Sequence, residues 1–81
     1  MLYIVATPIG NLEDVTRRAI ETLESVDLVL AEDTRVTRKL LSHLGISVSL
    51  RRYDAHSDDS ANERILELLA DGKNIALVTD A

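Results

Sequence analysis

Glu32-Asp33-Thr34-Arg35 puts two acids, a hydroxyl and a cation where an apolar run gives way to a helical pattern. A carboxylate at such a junction accepts a hydrogen bond from a hydroxyl, or takes its proton as a general base. Helix capping by Asp33 or Thr34, with Arg35 paired to a nearby acid, accounts for part of this pattern. It does not account for two adjacent acids followed by Arg35, Arg38 and Lys39 on one short segment. Those cations form a local basic patch on a chain whose net charge is −5, a balance that argues against a general nucleic-acid coat.

Upstream, Thr7-Pro8-Ile9-Gly10-Asn11-Leu12 follows the apolar run Leu2-Tyr3-Ile4-Val5-Ala6. Pro8 fixes φ and Gly10 permits positive φ, so this turn ends a strand and leaves its main chain open to a small molecule. An ordinary strand-to-helix turn fits the same spacing. A dinucleotide fingerprint needs more glycines, and no Gly-Lys-Ser/Thr follows to make a phosphate-binding loop. His43 and His56 are the only histidines, and neither has companions at metal-ligand spacing, so no metal is expected. The absence of Cys excludes disulfides and thiolate metal sites. No apolar stretch reaches 18 residues and no basic signal segment opens the chain, so a soluble, cytoplasmic protein is expected. Tyr3 and Tyr53 are the only aromatic residues, too few for a base-stacking surface.

The elements that must position these groups follow from periodicity. Residues 2–6 predict a strand. A helix over about 15–25, capped by Asp14, would bury Val15, Ala19, Leu23 and Val26 and turn Arg17, Arg18, Glu21 and Glu24 outward. Residues 27–32 predict a second strand. A second helix starts near Thr34, buries Val36, Leu40, Leu41 and Leu44, and stops at Gly45. Residues 48–53 form a weaker strand, which Arg51-Arg52 makes less central than the others. Ser60-Ala61-Asn62-Glu63 has capping-box spacing for a third helix that buries Ile65, Leu66, Leu68 and Leu69 and ends at Gly72. Residues 74–79 predict the fourth strand.

This alternation predicts an α/β fold with a mostly parallel sheet, right-handed βαβ units and helices on both faces. The first, second and fourth strands are apolar enough to be covered on both sides. Ligands of such sheets sit at the carboxyl ends of the strands. Pro8, Gly10, Glu32, Asp33, His56 and Asp80 would therefore gather on one rim. Asp80-Ala81 follows the last strand directly, where a ligand loop would start, so an incomplete domain of a longer protein is expected.

The first-turn block, Ala31-Glu32-Asp33-Thr34-Arg35 and Lys39-Leu40-Leu41, in this order and spacing, resembles the ribosomal-RNA branch of the tetrapyrrole (corrin/porphyrin) methylase superfamily. The resemblance runs over essentially all 81 residues. It implies two α/β domains with S-adenosylmethionine between them and, usually, a homodimer. It also implies methylation of a cytidine ribose 2′-hydroxyl in the 16S rRNA of the small ribosomal subunit. The chain would be the amino-terminal domain without its Gly-Thr-Pro-type cofactor loop and second domain, and inactive alone. Under this resemblance Glu32 and Asp33 are the catalytic candidates, and Arg35, Arg38 and Lys39 would neutralise RNA phosphates. Pro8 and Gly10 would shape the floor of the cofactor cleft, and Asp80 and Ala81 would lead into its loop. Tyr53 and His56 match the superfamily pattern, whereas Asp54, Ala55 and Ser57 depart from it. Pro8 and Asn11, in place of a Gly-rich turn ending in Asp, favour the RNA branch over the small-molecule branch. A tetrapyrrole or protein-modifying methyltransferase of the same superfamily, and a non-catalytic folding fragment, remain the alternatives.

Overall fold

The computed structural model describes residues 1–7, 12–54 and 56–80, with the backbone alone of Leu12 and Asp80. The element order is β1 (Leu2–Thr7), α1 (Arg17–Ser25), β2 (Leu28–Ala31), α2 (Thr34–Leu44), β3 (Ser49–Arg52), α3 (Asp59–Ala70) and β4 (Ile75–Asp80). One 3-10 turn, Leu12–Asp14, precedes α1. All strand pairs are parallel, in the order β1-β4-β2-β3. The α/β architecture expected from the sequence is therefore the one observed.

Strand alternation divides the core in two. Val5, Val29, Ala31, Ala76 and Val78 point to one face, where they meet Ala19 and Leu23 of α1 and Leu40 and Leu41 of α2. Leu28, Leu30 and Ile75 point to the other, under Ile65, Leu68 and Leu69 of α3. Helices on opposite faces are what right-handed crossovers require here. The chain moves outward across the sheet through β2 and β3, then returns to insert β4 beside β1.

Local chemistry sets the helix ends. Thr16, not Asp14, caps α1: its hydroxyl accepts from the Ala19 N–H at 3.1 Å. Asp33 caps α2 by accepting from the Arg35 N–H at 3.0 Å, and Thr34 is the first helical residue. Asp58 caps α3 by accepting from the Ala61 N–H, so Ser60 falls inside the helix and the capping-box reading is two residues late. Gly45 closes α2 at φ 70°, a left-handed conformation that costs a residue with a Cβ on the order of 1 kcal/mol.

Three burial expectations are corrected. Val36 is 50% exposed, and Thr37 occupies the inward position instead. Leu66 is exposed beside the half-buried Leu68 and Leu69, because it lies about 100° round the helix from Ile65, off the stripe that Ile65, Leu68 and Leu69 turn to the sheet. β2 is buried along its whole length, but β1 is an edge strand covered on one face only, so Leu2 and Ile4 are exposed. The remaining expectations for α1 hold: Ala19, Leu23 and Val26 are buried, and Arg17, Arg18, Glu21 and Glu24 face outward. β3 lies at the opposite edge, as its two arginines indicate.

Candidate functional site

The topology opens a cleft at the carboxyl ends of β2, β3 and β4. The chain leaving β2 turns into α2 on one face, and the chain leaving β3 turns into α3 on the other. Adjacent strands whose connections part in this way leave a crevice between them. It encloses about 350 Å³. Ala31, Leu77 and Val78 supply its apolar floor, and Glu32, Asp33, Thr37, Tyr53, Asp54 and Thr79 its polar groups.

Glu32 and Asp33 come together here because β2 ends at Ala31 and α2 starts at Thr34, which leaves exactly these two residues as the connection. Their chemistry differs. The Asp33 carboxylate is committed to the α2 cap and lies 3.8 Å from the Arg35 guanidinium. Among the described residues, the Glu32 carboxylate has no hydrogen-bond or ion-pair partner and remains available.

The far wall is a tight clasp. The Tyr53 N–H donates to the Ala31 carbonyl at 2.9 Å and prolongs the β2–β3 pairing by one residue. The Tyr53 hydroxyl donates to Asn62 Oδ1 and ties that wall to the first turn of α3. Arg52 Nε and Nη2 both lie 3.0 Å from Asp54 Oδ2. The other Asp54 oxygen accepts from the His56 N–H at 2.9 Å, and the Asp54 N–H donates to Ser57 Oγ. The His56 N–H bond, with Arg52 acting in the same direction, holds the Asp54 carboxyl below the ordinary aspartate range against the opposing effect of burial. A lowered folded-state value means that this contribution is present above the unfolded-state value and is lost as pH falls through the folded one. Acidification through the carboxylate range is therefore expected to loosen the wall. A carboxyl-carbon NMR titration should find Asp54 titrating below the ordinary aspartate value, and Arg52→Ala should raise its midpoint.

Of the other sequence candidates, His56 is exposed on the loop and does not line the cleft. Asp80 ends β4 one residue beyond the lining Thr79, in register with Thr7. Pro8, Gly10 and Ala81 lie outside the described residues. Arg35, Arg38 and Lys39 line an adjoining, open groove on the outer side of α2, together with Val36, Ser42, His43 and Asp33, which borders the cleft as well. Thr37, Tyr53, Asp54 and Thr79 were not among the sequence candidates. Tyr53 and Asp54 were detectable as the residues leaving a strand beside β2, once β3 is known to pair there.

Residues 1–80 match the family model of the Tetrapyrrole (Corrin/Porphyrin) Methylases. The chain belongs to this family. Its similarity to individual members is high. A Bacillus subtilis (strain 168) protein named Ribosomal RNA small subunit methyltransferase I is 56% identical over 81 residues, all of this chain. Proteins of the same name from Halalkalibacterium halodurans and Escherichia coli O157:H7 are each 54% identical over 80 residues, 99% of this chain. The chain spans 28% of the length of each of these three relatives. Among the described residues no group of three or more His, Cys, Asp or Glu is arranged to hold a metal ion. No helix among them is long and apolar enough to cross a membrane.

Proposed function

We propose that the chain is the amino-terminal domain of an S-adenosylmethionine-dependent methyltransferase acting on ribosomal RNA of the small subunit, at a cytidine ribose 2′-hydroxyl of 16S rRNA. The supporting observation is a crevice at a switch point of a tetrapyrrole-methylase sheet with an uncommitted carboxylate, Glu32, on its rim. The names of the similar proteins support rRNA as the acceptor. A cytoplasmic setting follows from that acceptor, and a homodimer of the full-length form is part of the same reading.

The cleft suits the donor by its chemistry. Of the carboxylates that line it, Asp33 and Asp54 lie beside Arg35 and Arg52, and Glu32 supplies the unpaired negative charge that favours a positively charged sulfonium or amine. Thr79 and Tyr53 add polar groups above the apolar floor of Leu77 and Val78. S-adenosylmethionine supplies the activated methyl group when bound. The protein must then align acceptor and donor and remove the hydroxyl proton. In this reading Glu32 takes that proton, Asp33 positions the start of α2 beside it, and the Tyr53–Asp54 wall limits the approach. Arg35, Arg38 and Lys39 lie outside the crevice on α2, where contact with RNA phosphates would set position rather than sequence. Pro8 and Gly10, with Asp80 and Ala81, are proposed to border the donor from the β1 and β4 sides.

Transfer of labelled methyl from S-adenosylmethionine to isolated small ribosomal subunits by the full-length form is the test, with a precorrin-type acceptor in parallel. Label in a cytidine ribose supports the reading, and label in the tetrapyrrole alone replaces it with the small-molecule alternative. In the same form, Arg35→Ala with Arg38→Ala should weaken subunit binding and reduce its log–log salt slope by about 2. An unchanged slope removes the phosphate contacts.

A further inference from the structure

The α3 face of the sheet carries cations that neither the cleft nor the α2 patch uses. Arg51 of β3 is in register with Leu30, whose side chain points to that face. Arg64 of α3 lines the same groove as Arg51, and Lys73 joins them from the turn after α3. The Lys73 N–H donates to the Leu68 carbonyl at 3.0 Å, which fixes that turn against the helix end. Three exposed cations from three segments thus meet over an apolar floor of Leu28, Leu68 and Ile75. The groove encloses about 330 Å³ at the amino end of β3 and about 150 Å³ more toward Tyr53.

Little on this face neutralises them. Among the described residues Arg51 and Lys73 have no ion-pair partner. Arg64 lies 3.5 Å from Glu67 with both side chains more than half exposed, a pair worth little. Asp27 is the one carboxylate among the described lining residues, and its Oδ2 already accepts from the Asn74 N–H at 2.9 Å. Three cations against one acid reverse the sign of a chain whose net charge is −5. Guarding an edge strand against strand addition accounts for Arg51 alone. It does not account for Arg64 and Lys73 facing it from the other wall. Like charges gathered in a groove raise the local concentration of an anion.

The groove also has a direction. Arg51 and Arg64 border both of its parts, and it ends at Tyr53, which lines the cleft as well. Across the cleft, Asp33 is shared with the α2 groove that holds Arg35, Arg38 and Lys39. A basic groove therefore adjoins the cleft on each face of the sheet. A small acceptor has no use for such a pair, whereas a polyanionic strand passing through the cleft meets both. We propose that the β3–α3 groove binds phosphates of the RNA strand on one side of the methylated nucleotide, through Arg51, Arg64 and Lys73, and that the α2 groove takes those on the other side. This rests on the reading of RNA as the acceptor.

The test is binding of the full-length form to protein-free 16S rRNA and to isolated small ribosomal subunits, measured across salt concentration. Neither measurement depends on methyl transfer. Arg51→Ala with Arg64→Ala should lower the log–log salt slope by about 1.4, the value for two single-strand phosphate contacts. Arg51→Lys with Arg64→Lys keeps the charges and should keep most of the slope. Lys73→Ala, in an exposed turn, should lower it by about 0.7 and covers the case in which the arginine pair alters the fold. An unchanged slope in both alanine variants overturns the proposal. An equal loss in the lysine pair would make the arginines structural and overturn it too. A loss confined to intact subunits would assign the groove to an acidic ribosomal protein, with the same result. Ribose methylation with an unchanged slope removes the groove and spares the proposed function, and a lowered slope without ribose methylation does the reverse. No binding to either RNA form by the unsubstituted protein would overturn both.

Discussion

Leu23→Ala is expected to destabilise the domain by about 3 kcal/mol, the largest effect of any single truncation on α1. Leu23 has no exposed surface and sits among Val5, Val26, Val29 and Ala76, where α1 meets the middle of the sheet. Truncation loses the transfer free energy of the removed carbons and leaves a void that strands paired on both sides cannot collapse to fill. A small domain has roughly 5 kcal/mol in total, so most of the margin would go. Urea unfolding should show the midpoint falling with little change in slope. Leu66→Ala on the exposed side of α3 serves as the comparison and should change 1–81 by less than about 0.5 kcal/mol. A Leu23→Ala midpoint equal to that of Leu66→Ala would contradict the two-faced core.

How much of this was legible in the sequence depended on whether the signal was local. Four consecutive apolar residues, Leu28 to Ala31, announce a strand buried on both faces, and β2 is one. Arg51-Arg52 announces an edge, and β3 lies at one. The run at Leu2–Ala6 is as apolar as β2, yet β1 lies at an edge, because sheet order is set by where β4 inserts 73 residues later. Val36 and Thr37 exchanged expected places for a related reason: a shift of one residue in helical phase changes which side chain meets the sheet. At the α3 start, Asp58 and Ser60 are both good capping residues, and sequence spacing alone favoured the later one. Within the site, Glu32 and Asp33 were legible because two acids interrupt an otherwise apolar strand-to-helix passage. Asp54 was not, because its environment is built by Arg52, His56 and Ser57 folding back on it.

That contrast between the two adjacent acids yields the sharpest expectation for catalysis. If the proposed function holds, Glu32→Gln in the full-length form should lower kcat for methyl transfer by about 100-fold or more with a small change in KM, the usual range for loss of a positioned general base. Gln keeps the shape and a hydrogen-bonding oxygen but cannot accept the hydroxyl proton as a carboxylate does. Asp33→Asn should do much less. Asn caps helices as well as Asp, so the bond to the Arg35 N–H survives and the start of α2 stays in place. Asp33→Ala should cost about 1 kcal/mol of stability through the lost cap, with activity falling because the Glu32 backbone is no longer held. Single-turnover rates distinguish a proton acceptor from a positioning residue: Glu32→Gln should lose most of the methyl-transfer rate, and Asp33→Asn should keep most of it. A larger loss in Asp33→Asn than in Glu32→Gln would exchange the two roles. Full activity in both variants would remove the proton acceptor from this rim.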